Sequence, residues 1–76
     1  MVLFKIKPNE IYKIELEIAM HEGTKTEFAK KIGVSLSYLS RVLSGKVNVG
    51  PKVAIKIANG LGKSVDMIFH EVRKRS

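Results

Sequence analysis

Seventy-six residues, no cysteine and a formal charge of +7 confine this chain to one small domain without disulfides or thiolate metal sites. Its apolar content of 45% is too high for a disordered chain of this charge, and no apolar run nears the roughly 20 residues of a membrane span. A chain this short buries only about 60% of its unfolded surface, so it must pack tightly or associate.

Residues 1–8, MVLFKIKP, alternate loosely and read as a short strand or extended arm, stopped by Pro8. The apolar patch is far too short for a signal peptide and has no leading basic segment, so the expected location is cytoplasmic. A lone strand cannot pair with itself, so the arm is expected to pack on helices or meet a partner chain. Asn9 reads as the cap of a first helix, with Glu10 at its positive end. Ile11, Ile14 and Ile18 follow helical spacing; Leu16, Ala19 and Met20 widen the apolar face enough to suggest cover on more than one side. Glu22-Gly23 ends it.

Thr24 to Ser44, TKTEFAKKIGVSLSYLSRVLS, reads as two short helices around a tight turn. Phe28, Ala29 and Ile32 form one apolar stripe, and Val34, Leu39 and Val42 the next. Gly33 stands between them, where a chain leaving a helix needs a positive φ. Thr24 with Glu27 is a capping-box signature, and Ser35 caps the second helix with Val34 and Leu39 as a hydrophobic staple. Helix, short turn, helix is a helix-turn-helix pattern.

A loop at 44–50 follows, then a helix opened by Pro51 with Gly50 as cap. Ala54, Ile57, Ala58 and Leu61 recur at core-facing spacing, with Lys52, Lys56 and Asn59 opposite. Gly60 costs about 1 kcal/mol against alanine within a helix, which a close helix contact would explain. Gly62 reads as the terminator. Ser64 caps a last helix in which Val65, Ile68, Phe69 and Val72 again fall at i, i+3, i+4, i+7, and residues 73–76 are a basic tail. Charge is unevenly spread: from Gly23 to Lys63 eight basic residues stand against one acid, while Asn9 to Glu22 carries four acids and one lysine. A basic middle suits a polyanion; a lysine-rich solvated face is the plainer reading.

Three blocks, T-K-T-E-F-A-K-K-I-G-V-S at 24–35, Y-L-S-R-V-L-S-G-K at 38–46 and I-K-I-A-N-G-L-G-K-S at 55–64, resemble the lambda-repressor/Cro-like (Xre-type) helix-turn-helix regulators. The resemblance covers residues 9 to 70. It implies an all-α, compact five-helix DNA-binding domain at 9–72, its helix-turn-helix at 24–44, behind a short extended N-terminal arm at 1–8. Three departures stand out. Gly23 occupies the place of an apolar plug, and Asn48-Val49-Gly50 replaces Asn-Pro-Ser. Ile18 and Leu43 replace an Arg–Glu pair, so a hydrophobic contact is expected in its stead.

With Leu36 at 0° on a wheel of roughly 100° per residue, Ser40, Ser44, Ser37 and Arg41 fall at about 40°, 80°, 100° and 140°. Val42, near 240°, lies opposite, flanked by Tyr38 and Leu39. The spacing thus turns Leu36, Ser37, Ser40, Arg41 and Ser44 outward. The resemblance implies that such a face enters the major groove. Arg41 could pair with guanine O6 and N7 or hold a phosphate; Ser37 could reach either. Leu36 could meet a thymine methyl or pack beside Leu43. Ser40 joins this base-reading set, and Tyr38 is expected at the core edge with its hydroxyl near a phosphate. Thr24 and Lys25, at a helix N-terminus that favours anions, form one phosphate clamp; Lys46, Asn48 and Lys52 form the other, and Ser44 is a further phosphate contact. Lys30 and Lys31 are expected on the solvated back.

No histidine–acid pair is placed to activate a serine, and His21 and His70 are isolated, so neither enzymatic activity nor a metal or other cofactor is expected. The expected function is a sequence-specific transcriptional regulator of double-stranded DNA, of phage or mobile-element kind. With no room for a sensor domain, a constitutive Cro-like repressor is expected, or a regulator switched by a separate regulatory protein partner. Useful affinity calls for a homodimer, through Val65, Met67, Ile68, Phe69 and Val72 or through Val2 and Phe4 of the arm. Two alternatives remain: a protein-interaction module such as an antirepressor, or the antitoxin of a toxin–antitoxin pair, each with a protein partner.

Overall fold

The computed structural model describes residues 2–73, at positions 22 and 73 the backbone only. Five helices dominate: α1 (Pro8–Glu17), α2 (Lys25–Ile32), α3 (Leu36–Leu43), α4 (Pro51–Gly60) and α5 (Val65–Ile68). A π-helical stretch, Ile18–Glu22, extends α1. Two short strands, β1 (Val2–Ile6) and β2 (Phe69–Arg73), complete the chain. The architecture is a compact helical domain with a small antiparallel sheet.

Helix α1 starts two residues earlier than a cap at Asn9 would place it. Lys7 is the cap and Pro8 the first helical residue. Proline has no N–H to lose there, and its fixed φ suits the first turn, so it opens the helix rather than blocking it. The burial of α1 is also narrower than expected. Ile14 and Ile18 are buried and Ile11 packs against the core, but Leu16, Ala19 and Met20 are exposed. Only one side of α1 is covered by the rest of the chain.

Both chain ends differ from the expected arm and long last helix. Helix α5 stops at Ile68, and the chain switches to extended backbone at Phe69 (φ −119°, ψ 152°). β2 then pairs antiparallel with β1, Ile6 opposite Phe69 and Val2 opposite Arg73. The arm therefore finds its partner within its own chain. The reason is hydrogen bonding: β1 offers a row of backbone donors and acceptors, and the aromatic and β-branched residues after Ile68 suit a strand that answers them. The switch lets adjacent residues Ile68 and Phe69 both reach the core, where they are 0% and 2% exposed. Neither is available to the partner surface expected from sequence. Phe4 and Val65 pack partly against the core and Val72 is half-buried, whereas Met67 and Val2 remain exposed. Of the basic tail, residues 74–76 lie outside the described residues.

The other edge of β1 holds the loop after α3. Phe4 and Val49 exchange backbone hydrogen bonds of 2.7 and 2.8 Å, and Val49 is buried. The core gathers Ile6, Ile14, Phe28, Leu39, Val42, Leu43, Ile57 and Phe69 with smaller side chains between them. The four α4 positions at core-facing spacing, Ala54, Ile57, Ala58 and Leu61, all belong to it. Ile18 and Leu43, the apolar replacements for an ion pair, are each 1% exposed in this same core. Gly60 is required by close approach: an added Cβ would lie 2.6 Å from Ile32 Cγ2 and 3.0 Å from the Phe28 ring.

Candidate nucleic-acid interface

The helix-turn-helix is built by local chemistry. Thr24 caps α2: its side chain accepts from the Glu27 backbone N–H at 3.1 Å and its hydroxyl donates to Glu27 Oε1 at 3.3 Å. At the far end Gly33 takes the left-handed conformation (φ 80°, ψ 34°), and both Gly33 and Val34 donate to the Ala29 carbonyl. Nothing lies within 4 Å of a Cβ built there, so the demand on Gly33 is purely conformational. Ser35 then caps α3, accepting from the Tyr38 N–H at 3.1 Å. Of the staple pair, Leu39 belongs to the core and Val34 packs partly against it.

Helix α3 separates its faces cleanly. Leu39, Val42 and Leu43 are buried. Leu36 is 42% exposed and stands outside the buried core. Ser37 and Arg41 are exposed and Ser40 half-exposed. Tyr38 packs partly against the core, at its edge as expected. The outward surface is thus short and polar, with one guanidinium and one exposed leucine.

The flanking phosphate candidates fall into two kinds. Lys46, Asn48 and Lys52, on the loop after α3 and at the start of α4, are exposed. The rest are engaged within the chain. Ser44 donates its hydroxyl proton to the Arg41 carbonyl at 2.7 Å. The Thr24 hydroxyl faces Glu27, and Lys25 Nζ lies 2.6 Å from Glu15 Oε1 on α1. On the back of α2 both lysines are exposed, but Lys31 is more than solvated: its Nζ donates to the Gly60 carbonyl at 3.2 Å, at the negative end of α4. Sequence reasoning missed Glu15, because nothing in the spacing of residues 15 and 25 announces that they meet.

A second surface has a different character. Phe4, Pro51, Ile55, Val65 and Phe69 line an apolar groove of about 370 Å³, with Asp66 and Glu71 also in its wall. On α1 and its π-helical extension, Tyr12, Leu16 and Met20 recur every four residues and are all exposed, Tyr12 at 73%. Among the described residues no helix is long and apolar enough to cross a membrane.

The helix-turn-helix family model matches residues 18–68, from the π-helical stretch through the last residue of α5. Both strands and α1 lie outside the match. The chain is similar to the uncharacterized HTH-type transcriptional regulator MJ0272 of Methanocaldococcus jannaschii, at 35% identity over 57 residues, 75% of this chain and 86% of that protein. No solved structure gives a significant match. Matched along most of its helical body, the chain belongs to the lambda-repressor-like (Xre-type) helix-turn-helix family of DNA-binding transcription regulators.

Proposed function

We propose that the protein is a sequence-specific regulator that inserts α3 into the major groove of double-stranded DNA. One observation carries this reading: α3 buries Leu39, Val42 and Leu43 while leaving Leu36, Ser37 and Arg41 outside. Its length of 8 residues suits the groove. Arg41 reads a guanine, Ser37 and Ser40 reach base edges or the adjacent backbone, and Leu36 meets a thymine methyl. Lys46, Asn48 and Lys52 hold phosphates on one flank, with Ser44 beside them; Thr24 and Lys25 hold the other, and the Tyr38 hydroxyl adds a phosphate contact. Thr24, Ser44 and Lys25 exchange their internal partners for phosphate oxygens.

One such module buries only about 600–1,000 Å² on DNA, so binding is by a homodimer on two half-sites about one helical turn apart. Val2, Phe4, Val65, Met67 and Val72 supply the dimer surface. Ile68 and Phe69 support it from within. In this reading the protein works in the cytoplasm as a Cro-like repressor of phage or mobile-element type. It blocks an operator by occupancy and needs no enzymatic activity or cofactor.

Gel shifts against the DNA upstream of its own coding region, at two salt concentrations, test the proposal. A discrete complex that weakens steeply with salt is expected. No complex with upstream or random duplex, even at low salt, would favour the second reading, a protein-interaction module. The exposed Tyr12–Leu16–Met20 stripe and the apolar groove are what favour that alternative.

A further inference from the structure

Helix α2 begins where a phosphate would be welcome, with free N–H groups, the positive end of the helix and Lys25 as its first residue. Two of the chain's own carboxylates are already there. Glu27 folds back over the helix start, close enough that a Cβ on Gly23 would lie 2.8 Å from its Oε1. Its bond with the Thr24 hydroxyl marks this as ordinary capping. Glu15 has no such local duty. It reaches from α1, ten positions earlier, to within 2.6 Å of Lys25 Nζ, with both side chains about half exposed (40% and 42%).

We infer that Glu15 is an internal stand-in for a DNA phosphate, holding Lys25 back from the backbone and lowering affinity for every duplex. This rests on the major-groove reading above and refines the role given there to Lys25. An exposed lysine–carboxylate pair is weak, so a phosphate can displace it. The exchange nevertheless sets one ion pair against another, and Lys25 adds little to binding while Glu15 is present. A phosphate contact carries no sequence information. Restraining one therefore trims the indiscriminate part of the affinity and leaves Arg41 and its neighbours to decide where the protein sits.

The test is a four-member set, the native chain with Glu15→Gln, Lys25→Ala and the double variant. Each is titrated by fluorescence anisotropy against the upstream duplex and a scrambled duplex over a range of salt. Glu15→Gln is expected to tighten binding to both duplexes about two- to fivefold, the range of an exposed ion pair. It should also steepen the slope of log affinity against log salt by up to roughly 0.9, the value of one full phosphate contact. In the Lys25→Ala background both effects should vanish. Glu17→Gln, which removes the same charge from the same helix but frees Lys63 (paired with Glu17 at 3.5 Å), should give less than the Glu15 variant. Equal tightening with and without Lys25 would show a mere change of net charge and overturn the inference, as would no tightening at all. If no member binds any duplex, the DNA-binding reading itself falls and this inference with it. Thermal melts of all members verify that folding is retained.

Discussion

Arg41 carries the largest share of the proposed sequence preference, and its variant should separate reading from holding. Arg41→Ala is expected to lose about 1–3 kcal/mol of discrimination between the best site and a scrambled one. Lys52→Ala should instead weaken both sites alike and reduce the salt slope by about one. Competition binding at two salt concentrations distinguishes them, and an Arg41 variant that weakens both duplexes equally would make Arg41 a phosphate contact. At this scale the outward face of α3 was legible, because a fixed angular step per residue decides which side chains share a side. Leu36, Ser37 and Arg41 are indeed exposed, and Leu39 and Val42 buried. What each polar group touches was not legible. The bonds of Ser44 to Arg41 and of Lys25 to Glu15 depend on rotamers and on packing between helices.

Among the elements, two glycines make opposite demands on the same substitution. At Gly33 alanine meets no neighbour but must adopt a positive φ, which costs about 1–2 kcal/mol; asparagine should cost less, since it tolerates that region. At Gly60 the backbone is helical and alanine gains about 1 kcal/mol of propensity. Against this, its Cβ would lie 2.6 Å from Ile32 and 3.0 Å from Phe28. Overpacking of this kind costs about 1–3 kcal/mol, so the net effect is expected to be destabilising. Thermal unfolding should show both alanine variants melting lower, by about 4–8 °C for each kcal/mol lost, with Gly33→Asn between Gly33→Ala and the native chain. An unchanged or raised midpoint for Gly60→Ala would mean that the α2–α4 contact yields easily. Gly33 and Gly60 were both marked in the sequence by their places in helical patterns. The last element was not. Val65, Ile68, Phe69 and Val72 satisfy a helical period, yet Phe69 and Val72 suit a strand equally well, and a pattern this short cannot choose between them. The choice was made at a distance, by the unpaired edge of β1.

For the molecule as a whole, that edge joins the two ends of the described chain, Val2–Ile6 to Phe69–Arg73. Ile6 is fully buried, Lys7 donates to the Ile68 carbonyl at 2.9 Å, and Phe4 holds Val49. Deleting residues 1–6 should therefore destabilise the whole domain rather than trim it, uncovering Val49 and Phe69 and leaving β2 without a partner. Urea unfolding should show a markedly lower midpoint; an unchanged one would make the sheet an appendage. Both strands also lie outside the stretch matched by the family model. The proposed dimer surface straddles that boundary, with Val65 and Met67 inside the matched stretch and Val2, Phe4 and Val72 outside it. Met67, 52% exposed beside the buried Ile68, is a suitable probe because its replacement should leave the core intact. Met67→Lys is expected to keep its affinity for a single half-site but lose the added affinity of a two-half-site operator, with sedimentation showing less dimer. Two half-sites joined by a dimer gain affinity without any new base contact, so the loss should appear only on the longer duplex. Equal losses on both duplexes would put Met67 near the DNA. No loss on either would move the dimer surface away from α5, toward the exposed stripe on α1.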